Sequence, residues 1–131
     1  MVSIKNGKTD RRTEKRKTGD SGEDAAVRFL EKNGYVVIER NFSCRLGEID
    51  IIAILPEKKH ISFVEVKTRK NTDFGLPCES VGRAKQRRLK RTAEVFLLQK
   101  PYFRGFEQSM DIFEVLRSES GIYVRHLPNA F

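Results

Sequence analysis

At 131 residues and 38% hydrophobic, the chain has enough apolar surface for one core and too little length for two. No run approaches the ~18 apolar residues of a membrane-spanning helix, and the N-terminus is basic and polar where a secretory signal is apolar, so a cytoplasmic location and no membrane partner are expected. The formal net charge of +8 makes a polyanion such as nucleic acid the partner to consider.

Residues 1–18 hold Lys5, Lys8, Arg11, Arg12, Lys15, Arg16 and Lys17 against Asp10 and Glu14, which is +5 of the total. With only Met1, Val2 and Ile4 apolar, this segment buries too little to order itself, and a flexible basic tail is expected ahead of a single domain over 19–131. Such a tail either adds phosphate contacts or is a solvated extension. The first helix is expected over 22–33. Ser21 and Asp24 form an S-x-x-D capping box, Ala26, Val27, Phe29 and Leu30 supply the apolar stripe, and Gly34 suits the C-terminal stop. Glu23 precedes Ala26, Val27 and Leu30 by three, four and seven positions and shares their inward face, although a glutamate in a first turn also simply favours the helix dipole.

Residues 35–42 read as a strand. After it, Gly47-Glu48-Ile49-Asp50-Ile51-Ile52-Ala53 and Phe63-Val64-Glu65-Val66-Lys67 put acids and a lysine inside runs that otherwise read as buried strands. Between them, Pro56-Glu57-Lys58-Lys59-His60 has the length of a link between antiparallel neighbours, so the two runs form a hairpin. Side chains alternate along a strand, which places Glu65 and Lys67 on one face with Ile61 and Phe63, and Glu48 on one face with Asp50. With the turn centred near Lys58, Asp50 falls opposite residues 65–67. A register of the right parity then gathers both carboxylates and the ammonium into one patch, and a slip of one residue parts them.

The polar stretch 69–78, with Gly75 and Pro77, is a strand-to-helix connection beside that patch. Inside it, Asp73-Phe74-Gly75 copies a kinase tripeptide in a chain far too short for that fold. Further on, Arg83, Lys85, Arg87, Arg88, Lys90 and Arg91 are six of the nine residues 83–91, while Val81, Leu89, Ala93, Phe96 and Leu97 fit a helix with one apolar stripe. Its outward face is either a phosphate-binding surface or a merely solvated one. Residues 110–116 and 122–127 read as strands, completing the order helix, three strands, helix, strands. Cys44 and Cys78 lack Cys-x-x-Cys spacing, and neither His60 nor His126 has a second ligand spaced around it, so these read as structural thiols and exposed or structural histidines.

Two carboxylates and a lysine on one strand face suit metal-assisted attack on a phosphodiester. Mg²⁺ or Mn²⁺ takes oxygen ligands, often only one or two carboxylates completed by phosphate and water, and a nearby ammonium stabilises developing negative charge. Asp50 and Glu65 are the candidate metal ligands and Lys67 the candidate ammonium. The simpler alternative is an ion pair of Lys67 with Glu65 or Asp50 on the wet face of an antiparallel sheet.

An acid on one strand followed by Glu-x-Lys on the next resembles the PD-(D/E)XK nuclease superfamily, with its restriction-endonuclease-like fold. Gly22-Glu23-Asp24-Ala25-Ala26, Asn33-Gly34-Tyr35, Gly47-Glu48-Ile49-Asp50, Phe63-Val64-Glu65-Val66-Lys67-Thr68-Arg69, Phe74-Gly75 and Asn129-Ala130-Phe131 together resemble the YraN-like family of small bacterial proteins, from about residue 19 onward. One departure is Ser109-Met110-Asp111, where that family commonly has Arg-Phe-Asp. The resemblance implies an α/β fold with a central mixed β-sheet flanked by helices, αβββαβ in order, and a catalytic set of Glu23, Asp50, Glu65 and Lys67. It implies a nucleic-acid substrate, DNA before RNA, contacted by Arg69, Lys85, Gln86, Arg87, Arg88 and Arg91. The alternative is a nucleic-acid-binding or interaction protein of DNA metabolism without catalysis. Whether two chains form a homodimer is left open.

Overall fold

Ile51, Ile52 and Ala53 are all buried, and so are Ile61, Ser62, Phe63 and Val64. Consecutive strand residues face opposite sides, so both faces of this sheet must be covered. A computed structural model of the chain describes residues 2–4, 14–70 and 81–131, with the backbone alone at 2–4, 14–21 and 70. Its elements are β1 (Val2–Ile4), α1 (Glu14–Lys32), β2 (Val36–Cys44), β3 (Gly47–Leu55), β4 (His60–Lys70), α2 (Arg83–Gln99), β5 (Glu107–Ser118) and β6 (Gly121–Leu127). The strands form one sheet in the order β1-β6-β5-β4-β3-β2. All neighbours are antiparallel except β4 and β5, a parallel pair that needs a long crossover and has α2 within it.

The helices cover opposite faces. Ala25, Ala26 and Leu30 of α1 pack with Ile51, Ala53, Val64, Phe113, Val115 and Val124. Leu89, Ala93 and Phe96 of α2 pack with Ile52, Ile61, Phe63, Met110 and Ile112 on the other side. This mixed α/β sandwich is consistent with a restriction-endonuclease-like fold. The hairpin expected around Lys58 is present, with Pro56–Lys58 as a 3-10 turn and Lys59 at φ 46.

Two boundaries differ from the sequence reading. α1 starts at Glu14, so Ser21 lies inside the helix and is not its N-cap. The apolar stripe reports only the turns that touch the sheet, and the polar turns ahead of it carry no such signal. In the segment read as a flexible tail, Val2–Ile4 pair with residues 122–124 of β6, and backbone pairing of this kind needs no apolar composition. Residues 5–13 and 71–80 lie outside the described residues, and with them residues 71–78 of the expected connection, including Cys78, while Arg69 and Lys70 belong to β4.

Two glycines position α1. Gly34, at φ +88, stops the helix, with Tyr35 N–H on the Leu30 carbonyl and Gly34 N–H on the Glu31 carbonyl, the Schellman pattern. A Cβ at Gly22 would lie 2.8 Å from Thr68 Oγ1, so the missing side chain lets the helix approach the far end of β4. That approach sets Glu23, the next residue, near the end of the β3–β4 hairpin.

Candidate functional site

β3 and β4 stay paired from the turn as far as Ile51 and Val64. Beyond that point β3 continues with β2 to Gly47 and Cys44, while β4 continues with β5 to Lys70 and Arg117. The sheet therefore divides just where Asp50 and Glu65 follow the last pair. Continuing the antiparallel register sets Asp50 opposite Glu65, both on the face covered by α2. In the gap, Asp50 Oδ2 accepts the Val66 N–H at 2.7 Å, which satisfies a backbone donor that the divided ladder leaves over.

Above this division is a cavity of about 250 Å³. Glu48, Asp50 and Glu65 line it from the sheet, and Lys85, Arg88 and Thr92 from α2. Burial pushes the Asp50 carboxyl up to about 7; the Val66 N–H opposes the rise, and the negative charges of Glu65, Glu23 and Glu48 add to it. A carboxyl so crowded by others is relieved by a nearby cation. One such cation belongs to the protein, because Lys85 Nζ lies 2.6 Å from Glu65 Oε2.

Two carboxylates on one cavity wall fit a hard divalent cation whose remaining ligands are water and phosphate oxygens. The crowding at Asp50 fits it too. Among the described residues, no group of three or more His, Cys, Asp or Glu is arranged to hold an ion, and a Mg²⁺-type ion is often held by only one or two carboxylates.

The other residues singled out in the sequence fall in several places. Glu23 Oε1 accepts from Arg40 and Asn41, each at 3.3 Å, and its charge still reaches Asp50. Lys67 is on the same side of β4 as Glu65 by alternation, yet it lines a second pocket with Thr68, Arg69 and Glu114. Two positions along a strand is a displacement of ~7 Å, enough to carry it past the divided hairpin. The Arg69 guanidinium donates to Glu114 at 2.6 Å, and Glu114, buried, also accepts from Arg125 Nε at 2.6 Å. Gln86 spends an amide N–H on the Val81 carbonyl at 2.8 Å, at the start of α2. Arg87, Arg88 and Arg91 are exposed, and Arg88 reaches the cavity wall.

Sequence reasoning did not foresee the Lys85–Glu65 pair or the cavity position of Glu48. Parity with Asp50 was a signal for Glu48; nothing local signals a contact across two layers. It also missed the role of Asp111. This buried acid accepts from His126 Nε2 at 2.8 Å and from the Asn129 N–H at 3.1 Å, and the His126 ring stacks on Phe113 at 4.3 Å. Burial alone would raise Asp111, but hydrogen bonds from His126, Ser109 and Asn129 outweigh it and hold the carboxyl below its usual range. His126 is thus structural.

Comparison with known proteins adds a family. The model of an uncharacterised protein family, UPF0102, matches residues 22–116, a span that includes α1 from Gly22 onward, the divided hairpin and α2. A UPF0102 protein of Caldicellulosiruptor saccharolyticus is 50% identical over 101 residues, covering 77% of this chain and 83% of its own. One from Dictyoglomus thermophilum is 43% identical over 116 residues, covering 86% and 95%. Another, from Caldanaerobacter subterraneus, is 39% identical over 124 residues, covering 92% and 99%. No described helix is long and apolar enough to cross a membrane.

Proposed function

We propose that this chain, which belongs to the uncharacterised protein family UPF0102, is a metal-dependent phosphodiesterase acting on nucleic acid, with DNA the first substrate to test. The observation that carries the reading is the pairing of Asp50 and Glu65 on one cavity wall, with Asp50 pushed up to about 7 by burial and by its acidic neighbours. Asp50 and Glu65 would hold the ion, Mg²⁺ or Mn²⁺. When bound, it supplies Lewis-acid polarisation of the phosphate and a more acidic water.

The rest of the chemistry belongs to the chain. The Val66 N–H fixes one oxygen of Asp50, so the other is left for a ligand. Glu23 and Glu48 keep the potential at Asp50 negative, which favours a cation there. Lys67, further along the same side of β4 in the neighbouring pocket, would supply positive charge to a phosphate that extends from the cavity toward it. Arg87, Arg88 and Arg91 form a basic surface on α2 that binds backbone phosphates without reading sequence. A cytoplasmic location accords with such a substrate.

A second reading is a nucleic-acid binder without catalysis. The Lys85–Glu65 ion pair favours it, because it neutralises one carboxylate without any metal. Incubation with linear, flapped and branched DNA and with RNA, with Mg²⁺, Mn²⁺ or EDTA, separates the two. Cleavage that needs metal and is lost in Glu65→Gln supports the enzyme. Salt-sensitive binding with no cleavage under any condition selects the binder.

A further inference from the structure

Lys85 and Glu65 approach the cavity from different layers, one from the first turn of α2 and the other from β4. Their contact is short, 2.6 Å, and unequal in burial: the Glu65 side chain is 13% exposed and that of Lys85 is 44% exposed. The carboxylate is therefore fixed in the wall, while the ammonium is delivered to it from solvent on a flexible stem. Arg88, one turn further along α2, lines the same cavity. The acids around it, Glu48, Asp50 and Glu65 with Glu23 nearby, raise the need for positive charge at this point.

We infer that Lys85 is a built-in counter-ion of the cavity: its ammonium holds the place at Glu65 that a divalent cation takes, and the two occupy that place in turn. The inference rests on the reading of Asp50 and Glu65 as cation ligands. A lysine suits this exchange better than an arginine. Its ammonium is a compact, strongly hydrated point charge held by one contact, whereas a guanidinium would grip the carboxylate with a two-pronged fork. Displacement returns the Lys85 head to the cavity mouth, on the helix whose exposed face is basic, where a phosphate can replace the carboxylate as its partner. The cation thus competes with an internal charge, and loading both fills the cavity and frees a phosphate ligand.

The test is Mn²⁺ binding to the full chain, followed by electron paramagnetic resonance of the free ion. It compares wild type with Lys85→Gln, Arg88→Gln and the double variant Asp50→Asn/Glu65→Gln, each checked for fold by circular dichroism. Removing the competitor should tighten Mn²⁺ binding roughly fivefold in Lys85→Gln, the scale of a partly exposed ion pair. Arg88→Gln removes one charge from the same wall without breaking the Glu65 contact, and should change affinity clearly less. The double variant should not bind. If wild type binds Mn²⁺ and Lys85→Gln binds it equally or more weakly, or if Arg88→Gln tightens it as much, the counter-ion role is overturned while the metal reading stands. Binding by none of the four proteins overturns both.

Discussion

At the scale of single residues, two buried aspartates carry opposite pH signatures. Asp50 is held near 7 in the folded protein, above the ~3.9 of an unfolded chain. The folded state therefore retains a proton that the unfolded state gives up, so the stabilising contribution is complete below about pH 4 and is lost as pH rises toward 7. In metal-free protein, Asp50→Asn should raise Tm at pH 7 by about 4 °C, corresponding to ~1 kcal/mol, with the gain vanishing near pH 4. A gain that is the same at both pH values would contradict the raised value that burial and the neighbouring acids give Asp50. Asp111 has the reverse sign. Its folded value is lowered, so its contribution is present at neutral pH and is lost as pH falls through that value. Asp111→Asn should cost about 2 kcal/mol at pH 7 and less in acid, as read by urea denaturation. The sequence told these acids apart unevenly. Asp50 and Glu65 were legible because strand parity and a short turn fix which side chains share a face. Lys85 was not, since its partner is twenty positions away in another layer, and parity alone does not show that Lys67 lines a second pocket beyond the divided hairpin.

At the scale of elements, α2 has two jobs on two faces. Its inner stripe closes the core through Phe96, whose ring lies edge-to-face with Phe42 and Phe63 at 5.3 and 6.2 Å and stacks with Phe103 at 6.4 Å. Phe96→Ala should cost ~3–5 kcal/mol, lowering the urea midpoint, because the cavity it leaves is walled by strands that cannot collapse. The outer face is polar and exposed, and changes there should leave stability alone. Neutralising Arg87, Arg88 and Arg91 together should weaken nucleic-acid binding for all sequences alike and flatten its salt dependence by roughly one unit of slope per lost phosphate contact. An unchanged slope would assign this charge to solubility. Apolar patterning found α2 by its stripe, and the hairpin and the last two strands by their apolar runs, which in β3, β4 and β5 are buried on both faces. It missed β1 and the first turns of α1, whose order does not depend on such a stripe.

At the scale of the whole molecule, α1 and α2 clamp a mixed sheet, and the candidate cavity opens where that sheet divides between β3 and β4. A cation bound there would tie the β2–β3 arm to β4 and relieve the acids at once. Mg²⁺ or Mn²⁺ should therefore raise the Tm of the wild type and leave that of Asp50→Asn/Glu65→Gln unchanged. On the proposed reading, this cavity cuts phosphodiesters with Asp50 and Glu65 as its cation ligands. The most direct test of that reading is a side-by-side cleavage time course of wild type and the folded double variant on the same set of linear and branched nucleic acids, with and without Mn²⁺. Products are expected only from wild type and only with metal. Products formed equally by the double variant, or none from wild type on any substrate with metal present, would contradict that reading.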